Sequence, residues 1–109
     1  IECGPDTPYL QIGENKYGKP ILDRALDYDT DLYDAVKIGL ISFSSTMRSN
    51  LAVGLPIDLV TARQGQSEAE VVRRIETNDG YFAELSRRWS EVISEACRAV
   101  PQVPFGPPA

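Results

Sequence analysis

A chain of 109 residues with a formal net charge of −5, 16 acids against 11 bases, has room for one domain. Its charge has the wrong sign for nucleic acid or an anionic membrane surface. No histidine is present, which excludes a Ser-His-Asp or Cys-His centre built from these residues.

The hydrophobic fraction of 42% and the charged fraction of 25% are ordinary for a globular domain with a modest core. Cys3 and Cys97 are too few for a disulfide framework and are expected as reduced thiols in a cytoplasmic protein. A zinc site needing His or four Cys is excluded, and neither metal nor cofactor is expected. No apolar run approaches the roughly 18 residues of a membrane span. The opening IECGPDTPYL has no basic n-region and no apolar h-region, so it does not read as a secretory signal. The basic pairs Arg73–Arg74 and Arg87–Arg88 read as solvated faces rather than as an anion-binding patch.

Residues 1–18 are rich in Gly, Pro and Asp and read as loop, with a short strand over residues 9–12 and with Gly13 and Gly18 supplying positive φ in turns. Pro20 suits the first position of a helix whose Ile21, Leu22, Ala25 and Leu26 share one face, ending near Tyr28. Asp29 or Thr30 is placed to cap a second helix, with Asp31 and Asp34 in its first turn. There Leu32, Ala35, Val36, Gly39 and Phe43 recur at helical spacing, and Ile38, Leu40 and Ile41 add a second apolar face. Gly39 costs about 1 kcal/mol against Ala inside a helix, so another backbone is expected to come close there.

Helical periodicity fades after Met47. A polar run over residues 44–50 then makes a hydroxyl-rich corner, and Gly54 and Pro56 lead into an apolar strand over residues 57–62. Residues 63–67 are the turn and residues 69–76 the second strand of an antiparallel hairpin. Asn78 or Asp79 caps the last helix. Its stripe of Tyr81, Phe82, Leu85, Trp89, Val92, Ile93, Ala96 and Val100 has the clearest helical period in the chain and reads as a packing face. Pro101 stops it, and the Pro-rich residues 101–109 form an extended tail.

Few residues could carry chemistry. Ser42, Ser44, Ser45, Thr46, Ser49 and Asn50 offer hydroxyls and an amide, but a serine nucleophile needs a base within reach, and only Lys37 and Asp58 are near in sequence. The alternative, favoured here, is that these groups satisfy backbone at the corner. Asp27, Asp29 and Asp31 lack the Gly and Glu of a calcium loop and read as helix caps. No Gly-rich phosphate loop is present.

Two stretches, PYLQIGENKYGKPILDR and STMRSNLAVGLPIDLV, closely resemble the C-terminal half of bacterial proteasome-related peptidases of the Anbu, or ancestral beta subunit, type. The resemblance runs over residues 9–101 and rests most on YGKPILDR and SNLAVGLPIDL. It implies one partial proteasome-type domain over residues 1–109, the last nine of them, 101–109, being the Pro-rich tail. The implied fold class is α+β, half of an N-terminal nucleophile hydrolase four-layer sandwich like that of the 20S proteasome β subunits, with helices packed on an antiparallel hairpin. It further implies threonine-type hydrolysis of peptides or unfolded protein by the intact, homo-oligomeric subunit. The family nucleophile is an N-terminal Thr, whereas this chain starts with Ile1, so no catalytic residue is assigned here.

By alignment, Asn50 stands where β subunits carry an Asp that steadies the nucleophile's amine, and is the one accessory candidate. Val53 replaces a nearby serine, Glu14 falls near a Ser-Gly-Ser loop, and Gly54 matches a close-approach glycine. Ser49, Asn50 and Gly54 together form the structural corner. The alternative is a non-catalytic α+β module for oligomerisation or support. In either case helices on one face of a hairpin leave its other face open, and a symmetric dimer burying that face is expected.

Overall fold

The computed structural model describes residues 3–13 and 16–106. Helix α1 spans Lys19–Ala25, α2 Leu32–Ser49, strand β1 Ile57–Thr61, β2 Val71–Ile75 and helix α3 Gly80–Ala99. Among the described residues the architecture is α+β, three helices and one antiparallel hairpin, as the periodicities predict.

Several boundaries differ for identifiable reasons. Among the described residues, 9–12 pair with no strand, and Tyr9 instead donates its hydroxyl hydrogen bond to Asp23 on α1. Helix α1 ends at Ala25 rather than near Tyr28, because a turn held by side chains begins at Asp27. Asp27 Oδ1 accepts from the Asp29 N–H at 2.9 Å, and the Asp27 N–H donates to Thr30 Oγ1 at 2.9 Å. Asp31, not Asp29 or Thr30, caps α2, accepting from the Tyr33 N–H at 3.1 Å. Strand β2 starts at Val71 rather than Ala69, although the Glu70 N–H adds one bond to the Thr61 carbonyl at 2.8 Å. The turn's positive φ belongs to Gly65, at +84°.

The register pairs Ile57 with Ile75, Asp58 with Arg74, Leu59 with Arg73, Val60 with Val72 and Thr61 with Val71. Since side chains alternate, Ile57, Thr61 and Ile75 share the inner face, where they are at most 6% exposed. They meet Leu40 of α2 and Phe82 and Leu85 of α3, with Val36, Ile41, Met47 and Leu55 packed around them. The outer face carries a bidentate Arg74–Asp58 pair, at 2.7 and 3.0 Å, and the exposed Val60 and Val72. Arg74 holds the Asp58 carboxyl below its usual range. The helical layer thus covers one face and leaves the other open, as the patterning of the strands requires.

Helix α3 is anchored at its start. Asp79 accepts from the Phe82 N–H at 2.9 Å and from Arg73 Nη2 at 3.1 Å. The Phe82 N–H above all, opposed by partial burial and assisted by Arg73, keeps its carboxyl below the ordinary range. Phe82 and Leu85 are buried, but the rest of the stripe is not: Trp89 and Val92 are half-buried, Ala96 is exposed, and Ile93 and Val100 are 43% and 66% exposed. Only the first half of that face is core.

Candidate functional site

The corner after α2 is built by Asn50 rather than by hydroxyls. Its backbone N–H donates to the Thr46 carbonyl at 2.8 Å and ends the helix. Its side-chain Oδ1 accepts from the Ala52 N–H at 2.9 Å, and its carbonyl accepts from the Val53 N–H at 3.1 Å. This is an Asx-type turn, the commonest use of an Asn at a reversal. Ser49 is the exposed last residue of α2, and Gly54 lies exposed in the descending segment. A Cβ at Gly54 would meet nothing within 4 Å, so no close approach exists there among the described residues. Glu14 lies outside the described residues.

The hydroxyl run does not sit at the corner. It lies inside α2, which continues to Ser49 instead of fading at Met47. Ser42, Ser44 and Thr46 are all at most 7% exposed. Thr46 Oγ1 donates back to the Ser42 carbonyl at 2.9 Å, and Ser44 Oγ donates to Ser86 Oγ on α3 at 2.9 Å. Arg48 Nη1 donates to Ser90 Oγ at 3.2 Å one turn further on. The second side of α2 is therefore a polar seam in the protein interior, with the Ser44 and Thr46 hydroxyls hydrogen-bonded there.

A Ser–Lys centre is not assembled. Lys37 pairs with Asp34 at 3.6 Å on an exposed surface and lies about 10 Å along the helix axis from Ser44. Asp58 is on the outer face of the hairpin with Arg74. Among the described residues no group of three His, Cys, Asp or Glu could hold a metal ion. Cys3 and Cys97 are free and exposed, and no described helix is long and apolar enough to cross a membrane.

The glycine that matters is Gly18, not Gly39. A Cβ on Gly39 would meet nothing within 4 Å, whereas one on Gly18 would stand 2.4 Å from Ser42 Oγ and 2.9 Å from Thr46 Oγ1. Gly18 has φ −91°, so it serves close packing of α1 on the hydroxyl seam and not a positive-φ turn. Its signal was in the sequence, as the Gly of YGKP directly before the Pro-started helix.

Beside this junction is a cleft of about 390 Å³, lined by Tyr9, Leu22, Ser42, Phe43, Thr46 and Val53 among others. It joins the N-terminal segment, the hydroxyl seam and the corner. Asn50 flanks it in sequence, but its placement is that of a C-cap. The site is thus a scaffold junction whose polar groups bond backbone and neighbouring side chains, and among the described residues no nucleophile–base pair is present in it.

Such an arrangement, helices over one face of an antiparallel hairpin, defines an α+β unit. No protein-family model and no curated protein matches the chain. Solved structures do. The Gly-1 mutant of Anbu from Hyphomicrobium sp. strain MC1 is 46% identical with a TM-score of 0.92, covering 96% of this chain and 46% of that one. Anbu (ancestral beta-subunit) from Yersinia bercovieri is 44% identical with a TM-score of 0.89, covering 98% of this chain and 45% of that one. The Anbu complex of Pseudomonas aeruginosa, solved as a helical assembly, is 47% identical with a TM-score of 0.85, covering 95% and 43%. The chain belongs to the Anbu family. It spans less than half the length of the relatives it matches, as a C-terminal half would.

Proposed function

We propose that this chain is the C-terminal half of a proteasome-type protease subunit that hydrolyses peptides or unfolded protein by a threonine-type mechanism when intact. The observation that carries this reading is 44–47% identity over nearly the whole chain to Anbu proteins of which it spans less than half. In this reading the nucleophilic Thr, its free α-amino group as base, and the Lys that tunes them lie outside these 109 residues. These residues supply the helix pair, the hairpin and the corner at Asn50. Asn50 is the one accessory candidate, offering hydrogen bonds but no charge where the family's β-subunit relatives carry an Asp. Val53 brings only apolar surface to the same place. The working compartment is the cytoplasm and the working form a homo-oligomer, without cofactor, nucleic acid or membrane.

A second reading, a non-catalytic module for oligomerisation or support, is favoured by one observation. Val60 and Val72 on the outer hairpin face are 63% and 74% exposed, so apolar surface awaits a partner. The placement of the nucleophile outside these residues is tested in a fluorogenic-peptide assay. A polypeptide of these 109 residues is expected to show no hydrolysis sensitive to a threonine-directed covalent inhibitor. Inhibitor-sensitive turnover by it alone would overturn the placement of the nucleophile elsewhere.

A further inference from the structure

Between α2 and α3 runs an open groove of about 520 Å³ that the site above does not use. Ile41, Leu85, Trp89 and Val92 form its apolar floor, and Lys37 and Arg88 stand at its rim. Along α3 the same helix face continues past the groove, which ends at Val92. Leu85, Val92 and Ala99 are seven residues apart and so lie on one line of the helix, changing from buried through half-buried to exposed. Arg88 and Glu95, also seven apart, flank that line, and the two already pair within the helix at 3.3 Å. A heptad line with one basic and one acidic flanking residue is self-complementary when two copies run antiparallel: each basic position then faces the acidic position of the other.

We propose that this groove is a two-fold docking surface for the α3 helix of a second copy of the chain. In that arrangement Val92 sits opposite Val92 of the partner subunit and Leu85 opposite Ala99 of the partner subunit. Arg88 faces Glu95 of the partner subunit, and the symmetry repeats each contact. Glu84 then faces Arg98 of the partner subunit, a second complementary pair. The contact covers the exposed second half of α3, which this chain's own core leaves bare. The hairpin's outer face remains free for strands of the other half-subunit. The inference deepens the homo-oligomeric part of the function proposed above and rests on it.

The test uses the 109-residue chain with Cys3→Ser and Cys97→Ser, carrying Val92→Cys. Mild oxidation is expected to give a disulfide-linked dimer, with a Val103→Cys control on the tail giving none. In parallel, sedimentation of the chain without added cysteines is expected to show dimer formation that Arg88→Glu or Glu95→Arg weakens about tenfold each. The double reversal, which restores the complementarity, is expected to recover it. Association that persists without the Val92→Cys crosslink and ignores the charge reversals would overturn this surface while leaving assembly intact. A chain that stays monomeric at every concentration would overturn both the surface and the homo-oligomeric reading for these residues, without touching the peptidase assay.

Discussion

Replacing Phe82 by alanine lowers the stability of this chain by about 3–5 kcal/mol, measured by urea unfolding. The side chain is 4% exposed and lies in the first turn of α3, where that helix meets Leu40 of α2 and the inner hairpin residues Ile57 and Ile75. Its removal opens a cavity at the one point where all three elements join. The described residues contain only five buried hydrophobic side chains, so neighbouring side chains have little freedom to collapse into the gap. A chain of this size has roughly 5–15 kcal/mol in total, and the loss is a large share of it. A measured loss below about 1 kcal/mol would mean that α3 is not docked on the hairpin in solution.

Gly18→Ala is expected to destabilise by about 1–3 kcal/mol, the usual range for overpacking. The backbone there is already helical, so an alanine has no conformational objection; propensity alone would favour it. The opposing term is steric. The new Cβ would stand 2.4 Å from Ser42 Oγ, and the Ser42 hydroxyl is buried with a backbone carbonyl close behind it. The sign is decided by that contact, which gives a clear cycle. In a Ser42→Ala background the penalty should shrink, leaving the weaker 2.9 Å approach to Thr46 Oγ1. If Gly18→Ala proved neutral or stabilising, α1 would not be packed on the hydroxyl seam as described.

These two sites also show what the sequence could and could not reveal. Phe82 was legible: it falls on a stripe of period 3.6 behind an Asp cap, and such a stripe has few interpretations. The hairpin was legible for the same reason, from two β-rich runs separated by a Gly-containing turn. What periodicity does not carry is how far a neighbour extends. The stripe of α3 continues evenly to Val100, yet cover stops near Val92, so Trp89 is half-buried and does not carry the full cost of a core tryptophan. Ser42, Ser44 and Thr46 read as groups that satisfy backbone at a corner, because hydroxyls at a helix end usually do. Here Gly18 and Ser86 come close enough to bury them, and both contacts are between residues far apart in sequence. The close approach expected at Gly39 is found at Gly18 for the same reason: a glycine's purpose depends on the neighbour that approaches it. The chain turns only after Ser49, later than the fading periodicity implies, and the turn is built by the Asx arrangement of Asn50 rather than by hydroxyls.

The candidate site was legible only through the resemblance. The residues at hand have no base to activate a serine, and the chemistry assigned to the family needs a free N-terminal threonine. That assignment gives the hairpin its purpose. Two strands with apolar side chains on both faces are marginal alone and become a sheet when further strands join them. Among the described residues, the exposed Val60 and Val72 and the two open strand edges are the places where the proposed reading puts those strands.

The most direct test is therefore physical reassembly. This chain, mixed with a separately produced N-terminal half of an Anbu subunit, is expected to form a stoichiometric complex seen by light scattering after size exclusion. In that complex β1 and β2 should gain protection from hydrogen exchange. Two halves that stay apart, with β1 and β2 exchanging as in the free chain, would contradict the account.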